Sequence, residues 1–167
     1  MKIRHALIAL ALTAACGQAL ATPPVAFWQG NLPPLGENRI VGLWQAALTL
    51  APCSGGPATS IHALNTFHAG GTLNSTDNAP QPSNGPAQGI WEYRGHGSYV
   101  LHVQFFTFLP DGTSSGLADV HQELTLDPAG SAYASVLCAR VLDPHGNPVV
   151  ELCGNAQGKR VPLDPMH

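Results

Sequence analysis

The 167-residue chain carries seven basic and ten acidic residues, and charged residues make up only 10% of it, against the usual quarter or so. A mildly acidic chain without a Lys/Arg run is a poor match for nucleic acid or an anionic membrane, so we expect no nucleic-acid partner. Its 15 prolines and 18 glycines interrupt helices every few residues, and this composition favours β structure.

Residues 1–21 are typical of a Sec signal peptide. Lys2 and Arg4 supply the positive start, residues 6–15 are apolar, and Ala19 to Ala21 form a small-x-small cleavage site. The apolar run is too short for a permanent membrane span, which needs about 20 residues. We therefore predict a periplasmic or extracellular protein with no integral membrane segment after cleavage and a net charge of −5.

Cys16 offers an alternative end to this signal. Ala14-Ala15-Cys16 resembles the end of a lipoprotein signal, in which the cysteine becomes the lipidated first residue. Such signals usually carry Leu, Val or Ile three positions earlier, and this chain has Thr13 there. Cleavage after Ala21 is therefore the favoured interpretation.

The remaining residues suit one domain with short tails. Residues 22–38 are Pro-rich and aperiodic, which predicts an extended N-terminal tail. Residues 39–161 form the predicted domain, and residues 162–167 form a C-terminal tail.

Turn-forming residues recur at short spacing through the domain, and the segments between them are rich in Val, Phe, Tyr, Leu and Thr. The longest Pro/Asn/Ser/Gly loop, 77–86, is predicted to be a mobile flap. The predicted strands are 40–50, 60–68, 71–75, 88–94, 97–109, 117–127, 131–142 and 148–161.

Short turns force neighbouring strands to be antiparallel, so the simplest topology is an up-and-down meander. Eight strands are enough for such a sheet to close and lose its edges. We predict an all-β fold with a single antiparallel, up-and-down barrel of about eight strands. A two-sheet β-sandwich is the alternative.

Alternation sorts the side chains of the long strands, but it leaves one register open. Tyr99 shares a face with Leu101, Val103 and Phe105, and His102 shares the opposite face with Gln104 and Phe106. In strand 117–127, one face carries Asp119, His121 and Glu123. One register of this hairpin puts the two polar sets on the same side, and the neighbouring register puts them on opposite sides.

Strand 131–142 is apolar on both faces, and a barrel strand of that kind must hide its outer face. A partner subunit, a helix or the N-terminal tail can cover that face, so some self-association into a homo-oligomer is expected.

Two segments echo each other: Gly42-Leu43-Trp44-Gln45 and Gly89-Ile90-Trp91-Glu92. A Gly-x-Trp that opens a strand, with Arg160 near the end of the last strand, resembles the lipocalin and wider calycin pattern. The segment Thr66 to Thr72 resembles secreted bacterial calycin-like proteins. In such barrels the Trp closes the base and the Arg packs across it. Allene oxide cyclase-type barrels, which are enzymes, look similar at this level, so the resemblance implies a barrel over residues 40–161 without deciding its activity.

Cleavage leaves an odd number of cysteines: Cys53, Cys138 and Cys153. A tight turn at 144–147 places Cys138 opposite Cys153, whereas closure of the barrel between its first and last strands brings Cys53 near Cys153. Both pairings fit the strand pattern. The resemblance favours a Cys53–Cys153 disulfide, because similar proteins tend to carry cysteines at these two places. Cys138 is then expected to be a buried free thiol.

Three functions compete. The first is binding of a small hydrophobic molecule in the barrel, with the 77–86 loop as a lid. The candidate ligand-binding residues are Trp44, Trp91, Tyr99, His102, Gln104 and Phe106.

The second is a cyclase- or isomerase-type enzyme, with His102 or His121 as the acid/base and Glu123 as its partner. The third is a structural or interaction barrel with a filled core. The chain has no phosphate loop or dinucleotide fingerprint and no close pair of histidines along the sequence, so no cofactor and no metal site are expected.

Overall fold

The chain forms a closed barrel of eight antiparallel strands in the computed structural model, which describes residues 37–80 and 83–163. Each strand pairs with the next along the chain, and the last pairs with the first. The strands are β1 (Gly42–Pro52), β2 (Thr59–Phe67), β3 (Thr72–Asp77), β4 (Ala87–Gly95), β5 (Ser98–Phe108), β6 (Ser114–Leu126), β7 (Ala132–Leu142) and β8 (Pro148–Arg160). The predicted up-and-down barrel is therefore confirmed, and the sandwich alternative is wrong.

The predicted signal peptide and most of both predicted tails lie outside the described residues. The first described element is a 3-10 helix, Glu37–Ile40, and one residue separates it from β1. Within residues 37–80 and 83–163, no helix is long and apolar enough to cross a membrane.

Trp44 fills the end of the barrel at which β1 begins, which we call the base. Its side chain is fully buried, and its indole Nε1 donates a hydrogen bond of 2.8 Å to the carbonyl of Ile40. The ring of Tyr133 packs against it with centroids 5.2 Å apart. Gly158 makes room for Tyr133, because a Cβ at that position would lie only 2.0 Å from the tyrosine ring.

Arg160 lies across Trp44, with its guanidinium carbon 4.3 Å from the centroid of the indole ring. The same guanidinium donates hydrogen bonds to the carbonyls of Gly130 (2.8 Å), Val41 (2.7 Å) and Arg39. One side chain on β8 thus holds the segment before β1 and the β6–β7 turn. This is the base contact that the resemblance implies.

The second Gly-x-Trp also places its tryptophan at the base. Trp91 Nε1 donates to the carbonyls of His68 (3.2 Å) and Thr72 (3.0 Å), at the β2–β3 turn. Its ring meets Tyr99 edge-on at 5.8 Å. The two tryptophans therefore pack the base with buried aromatic rings and leave no buried indole N–H without an acceptor.

Cys53 and Cys153 are joined by a disulfide, as the resemblance implies, and this bond is compatible with an oxidising location. Export itself stays a prediction. Cys138 is a free thiol, but the prediction that it is buried is wrong. Its neighbours Leu137 and Ala139 point into the barrel, so the two-residue period of β7 turns Cys138 outward to solvent.

Removal of the guanidinium should weaken the base. We expect Arg160→Ala to lower the free energy of unfolding by about 2–4 kcal/mol, because it removes several charge-assisted hydrogen bonds and a cation–π contact. Urea denaturation measures this loss. Lys159→Ala, at an exposed position next to it on β8, is the matched control and should change stability by less than about 0.5 kcal/mol. Equal effects of the two variants would contradict the role given to Arg160.

Candidate functional site in the barrel

A cavity of about 250 Å3 lies inside the barrel. Its walls are mainly aliphatic, and each of the eight strands contributes to them. The apolar side chains that line it are Leu48, Leu50, Ile61, Ala63, Leu73, Ala87, Leu101, Val103, Phe105, Ala118, Val120, Tyr133, Leu137, Ala139, Val141, Leu152 and Ala156.

Burial changes along the cavity and shows where it meets solvent. At the base, Trp44, Tyr99 and Leu124 are 0% exposed, so that end is sealed. At the opposite end, which we call the mouth, the lining residues Leu50 and Leu152 are only partly buried. The loops at the mouth join β1 to β2, β3 to β4, β5 to β6 and β7 to β8. A ligand therefore has its shortest route in through the mouth.

Asn65 and Gln122 are polar residues of the cavity wall, and each donates a hydrogen bond to a hydroxyl group. Asn65 Nδ2 donates to the hydroxyl of Tyr133 at 3.0 Å, and Gln122 Nε2 donates to the hydroxyl of Ser135 at 2.6 Å. Burial raises the pKa of Tyr133, so its phenol stays neutral under ordinary conditions. These uncharged groups can orient a ligand without the cost of a buried charge.

The loop between β3 and β4 is fastened to β5, which bears on its predicted role as a flap. Asn84 forms an isolated β-bridge with Thr107. The N–H of Gly85 donates to the carbonyl of Phe106 at 2.8 Å, and Asn84 Nδ2 donates to Asp77 Oδ2 at 3.0 Å. A lid made of this whole loop has to break these bonds to open. Residues 81–82 lie outside the described part of the chain.

The six residues predicted to bind a ligand fall into two groups. Trp44, Trp91 and Tyr99 pack the base below the cavity. The other three, His102, Gln104 and Phe106, lie on the outer face of β5, and Phe106 is 63% exposed. None of the six lines the cavity. Their part in ligand binding stays a prediction, and other residues form the inner wall of the cavity.

The strand period explains this outcome. Tyr99 is inside the barrel, so residues at odd positions along the same strand, such as Leu101 and Val103, face inward, and residues at even positions face outward. The six predicted residues mixed both sets. A buried Trp44 identifies the inward positions of β1 in the same way. Counting every second residue from the two Gly-x-Trp tryptophans is therefore the sequence signal that predicts the wall residues.

The sequence left the pairing register of β5 and β6 open. The observed register puts the polar residues of both strands on the same, outer side of the barrel. His102 pairs directly with His121 across β5 and β6, and their imidazole rings stack with centroids 4.4 Å apart and planes 13° apart. His102 Nε2 lies 2.5 Å from Asp119 Oδ1, and His121 Nε2 lies 3.5 Å from Asp119 Oδ2. We call His102, Asp119 and His121 the outer cluster.

Gln104 supports the outer cluster, and its Nε2 donates to Asp119 Oδ1 at 2.9 Å. Hydrogen bonds from Gln104 and His102 lower the pKa of Asp119, so this carboxylate is ionised in neutral solution. Glu123, the predicted catalytic partner, is exposed on the same strand but is not among the three residues whose ligand atoms lie within 4.8 Å of one another. Asp119 lies on the strand face that alternation predicts, although it was not among the predicted site residues.

No protein-family model matches the sequence, and no curated protein matches it. Among solved structures, the chain is similar to the S-type phycobiliprotein lyase CPES from Guillardia theta, with a TM-score of 0.43 and 11% identity over 76% of this chain and 91% of that one. At that level the likeness assigns no family and no ligand.

Asp119 should make acid stability depend on pH in a defined direction. Its pKa is lower in the folded state than in the unfolded chain, so its stabilising contribution is present above the ordinary Asp pKa of about 3.9 and is lost as pH falls through the folded value. We expect wild type to exceed Asp119→Asn in unfolding free energy at about pH 5, with the gap closing towards about pH 2. Urea titrations over this range measure the gap.

Gln104→Leu tests whether the hydrogen bond from Gln104 lowers the pKa of Asp119. This variant keeps the carboxylate and removes its leading hydrogen-bond donor, so the pKa of Asp119 is lowered less; the pH-dependent part of the gap to Asp119→Asn should be smaller and should finish closing at a higher pH than in wild type. A constant gap across the range in wild type would show that Asp119 does not carry the effect.

Proposed function

We propose that this protein binds a small, neutral, hydrophobic molecule inside its barrel. The observation that carries the proposal is the apolar cavity of about 250 Å3 between a sealed base and a partly exposed mouth. An apolar cavity of about 150 Å3 accommodates benzene. The barrel therefore offers space for a molecule of two or three rings, or for a short branched chain.

The wall chemistry supports a neutral ligand. Asp77 is the one carboxylate among the described residues that line the cavity, and it lies near the mouth, where Asn84 donates to it. Deeper in, the hydroxyl of Tyr133 already accepts from Asn65, so its proton can be donated to an acceptor atom of the ligand. A ligand with an apolar body and one carbonyl, ether or hydroxyl oxygen fits this arrangement.

The two competing functions receive less support from the geometry. Catalysis inside the barrel needs an acid/base that reaches the cavity, and His102 and His121 project from the outer wall instead. A filled core is the third possibility, and a cavity of this size argues against it.

A matched pair of substitutions on β7 tests the proposal. Ala139 points into the cavity, and Ala134 lies exposed on the outer face of the same strand. We expect Ala139→Leu to weaken binding of N-phenyl-1-naphthylamine, a neutral fluorescent probe, by at least about tenfold, because its side chain occupies ligand space. Ala134→Leu should leave the affinity unchanged. Fluorescence titration measures both affinities.

Val103→Phe provides a second way to fill the cavity, from β5, in case the β7 variant folds poorly. Circular dichroism checks that each variant keeps its β structure. The proposal fails if folded wild-type protein gives no saturable binding, or if filling the cavity leaves the affinity unchanged.

A further inference from the structure

We propose that the outer cluster, His102, Asp119 and His121, is a binding site for Zn2+ on the outside of the barrel. The three residues offer two imidazole nitrogens and a carboxylate oxygen, all within 4.8 Å of one another. Imidazole and carboxylate are established zinc ligands, and three protein ligands leave a fourth position for water or another molecule.

The orientation of the two rings favours a shared ion. Because His102 and His121 are direct cross-strand partners and their rings are almost parallel, both Nε2 atoms point towards Asp119. Zinc bonds of about 2.0–2.2 Å in tetrahedral geometry place neighbouring ligand atoms roughly 3.3 Å apart. The separations of 2.5 Å from His102 Nε2 to Asp119 Oδ1 and of 3.5 Å from His121 Nε2 to Asp119 Oδ2 each lie within about 1 Å of that value.

The surroundings allow the small adjustment that an ion requires. The side chains of His102 and His121 are 39% and 66% exposed, so they can rotate, whereas Asp119 is only 20% exposed and is held by Gln104. An amide that fixes a ligating carboxylate is the kind of outer-shell contact that tunes metal sites. The ionised carboxylate also offsets part of the charge of the ion.

Calorimetric titration of ZnCl2 into untagged protein that has been treated with a chelator and dialysed tests the site. We expect one ion per chain. His102→Ala and His121→Ala should each weaken the affinity by at least about tenfold, since loss of outer-shell contacts alone costs about 10–100-fold. His62→Ala removes another exposed histidine, on β2, and should leave the affinity unchanged.

Two further variants keep the outcome decisive. Gln104→Leu should weaken zinc binding by roughly tenfold while leaving the stoichiometry at one. Cys138→Ser should have no effect, because the proposed ligands are nitrogen and oxygen atoms. The proposal is overturned if wild type binds no zinc, if the histidine variants bind as wild type does, or if loss of Cys138 abolishes binding.

A separate observation carries a second proposal. The free thiol of Cys138 lies 3.8 Å from the sulfur of Cys153, which is bonded to Cys53, and Cys138 and Cys153 are cross-strand partners on β7 and β8. We infer that these three cysteines exchange their disulfide. Cys138, as thiolate, attacks Sγ of Cys153, the Cys153–Cys53 bond breaks, and Cys53 leaves as a thiolate and takes up a proton. No oxidant or reductant is consumed.

The cross-strand pairing of Cys138 with Cys153 also suits a disulfide between these two residues. Directly opposed residues of an antiparallel pair have Cα atoms about 4.5–5.5 Å apart, which is within the range of disulfides. Exchange frees Cys53, which follows the end of β1 and is held by a hydrogen bond from its N–H to the backbone carbonyl of Glu151. The thiol would then appear at the β1–β2 loop, beside the mouth.

Native alkylation with iodoacetamide at about pH 7 and about pH 9, followed by an acid quench and peptide mapping, tests the exchange. We expect label on Cys138 and, increasingly at the higher pH, on Cys53, together with a peptide cross-linked between Cys138 and Cys153. Cys138→Ser should leave Cys53 unlabelled. The rates should not depend on protein concentration. Label confined to Cys138 in wild type, or a rate proportional to protein concentration, would overturn exchange within one chain.

Discussion

The guanidinium of Arg160 on the indole of Trp44 is the contact that the rest of the barrel depends on. An eight-stranded sheet closes only if its last strand meets its first in one register, and Arg160 pairs with Trp44 across that seam. The charge is tolerated there because backbone carbonyls replace the water it loses. The sealed base that results leaves the mouth as the end at which the cavity can exchange its contents.

Fixing one tryptophan inside also decides which side most other strand residues face. Side chains alternate with a period of two and directly paired residues share a side, so inside and outside are assigned around the ring, apart from register shifts near Gly95, Phe108 and Leu142 at strand ends. The small aliphatic residues fall inside and leave space, because alanines such as Ala63, Ala118 and Ala139 occupy positions that larger residues would fill. A cavity follows from residue size as much as from the fold.

The fold was predictable from the sequence because Pro/Gly turns and alternating strands are local signals. Strand bounds agree to within three residues, and the base contact was implied by Gly-x-Trp and Arg160. The site was harder to predict, since the register of β5 on β6 depends on a single-residue choice that no local pattern settles. Cys138 was misplaced because an apolar environment was assumed on both faces of β7, although its outer face meets solvent.

One row of the outer wall brings together chemistry that is scattered along the chain. His102 pairs with His121, His121 with Cys138, and Cys138 with Cys153, so four strands present imidazole and sulfur at the same level. The neighbour of Cys153 on β8 is Leu152, which points inward and lines the cavity near the mouth. Because adjacent residues of a strand face opposite sides, a change of bonding at Cys153 acts on backbone that also positions the cavity wall. Thus the outer row and the cavity share β8 as a common structural element, although no side chain of that row enters the cavity.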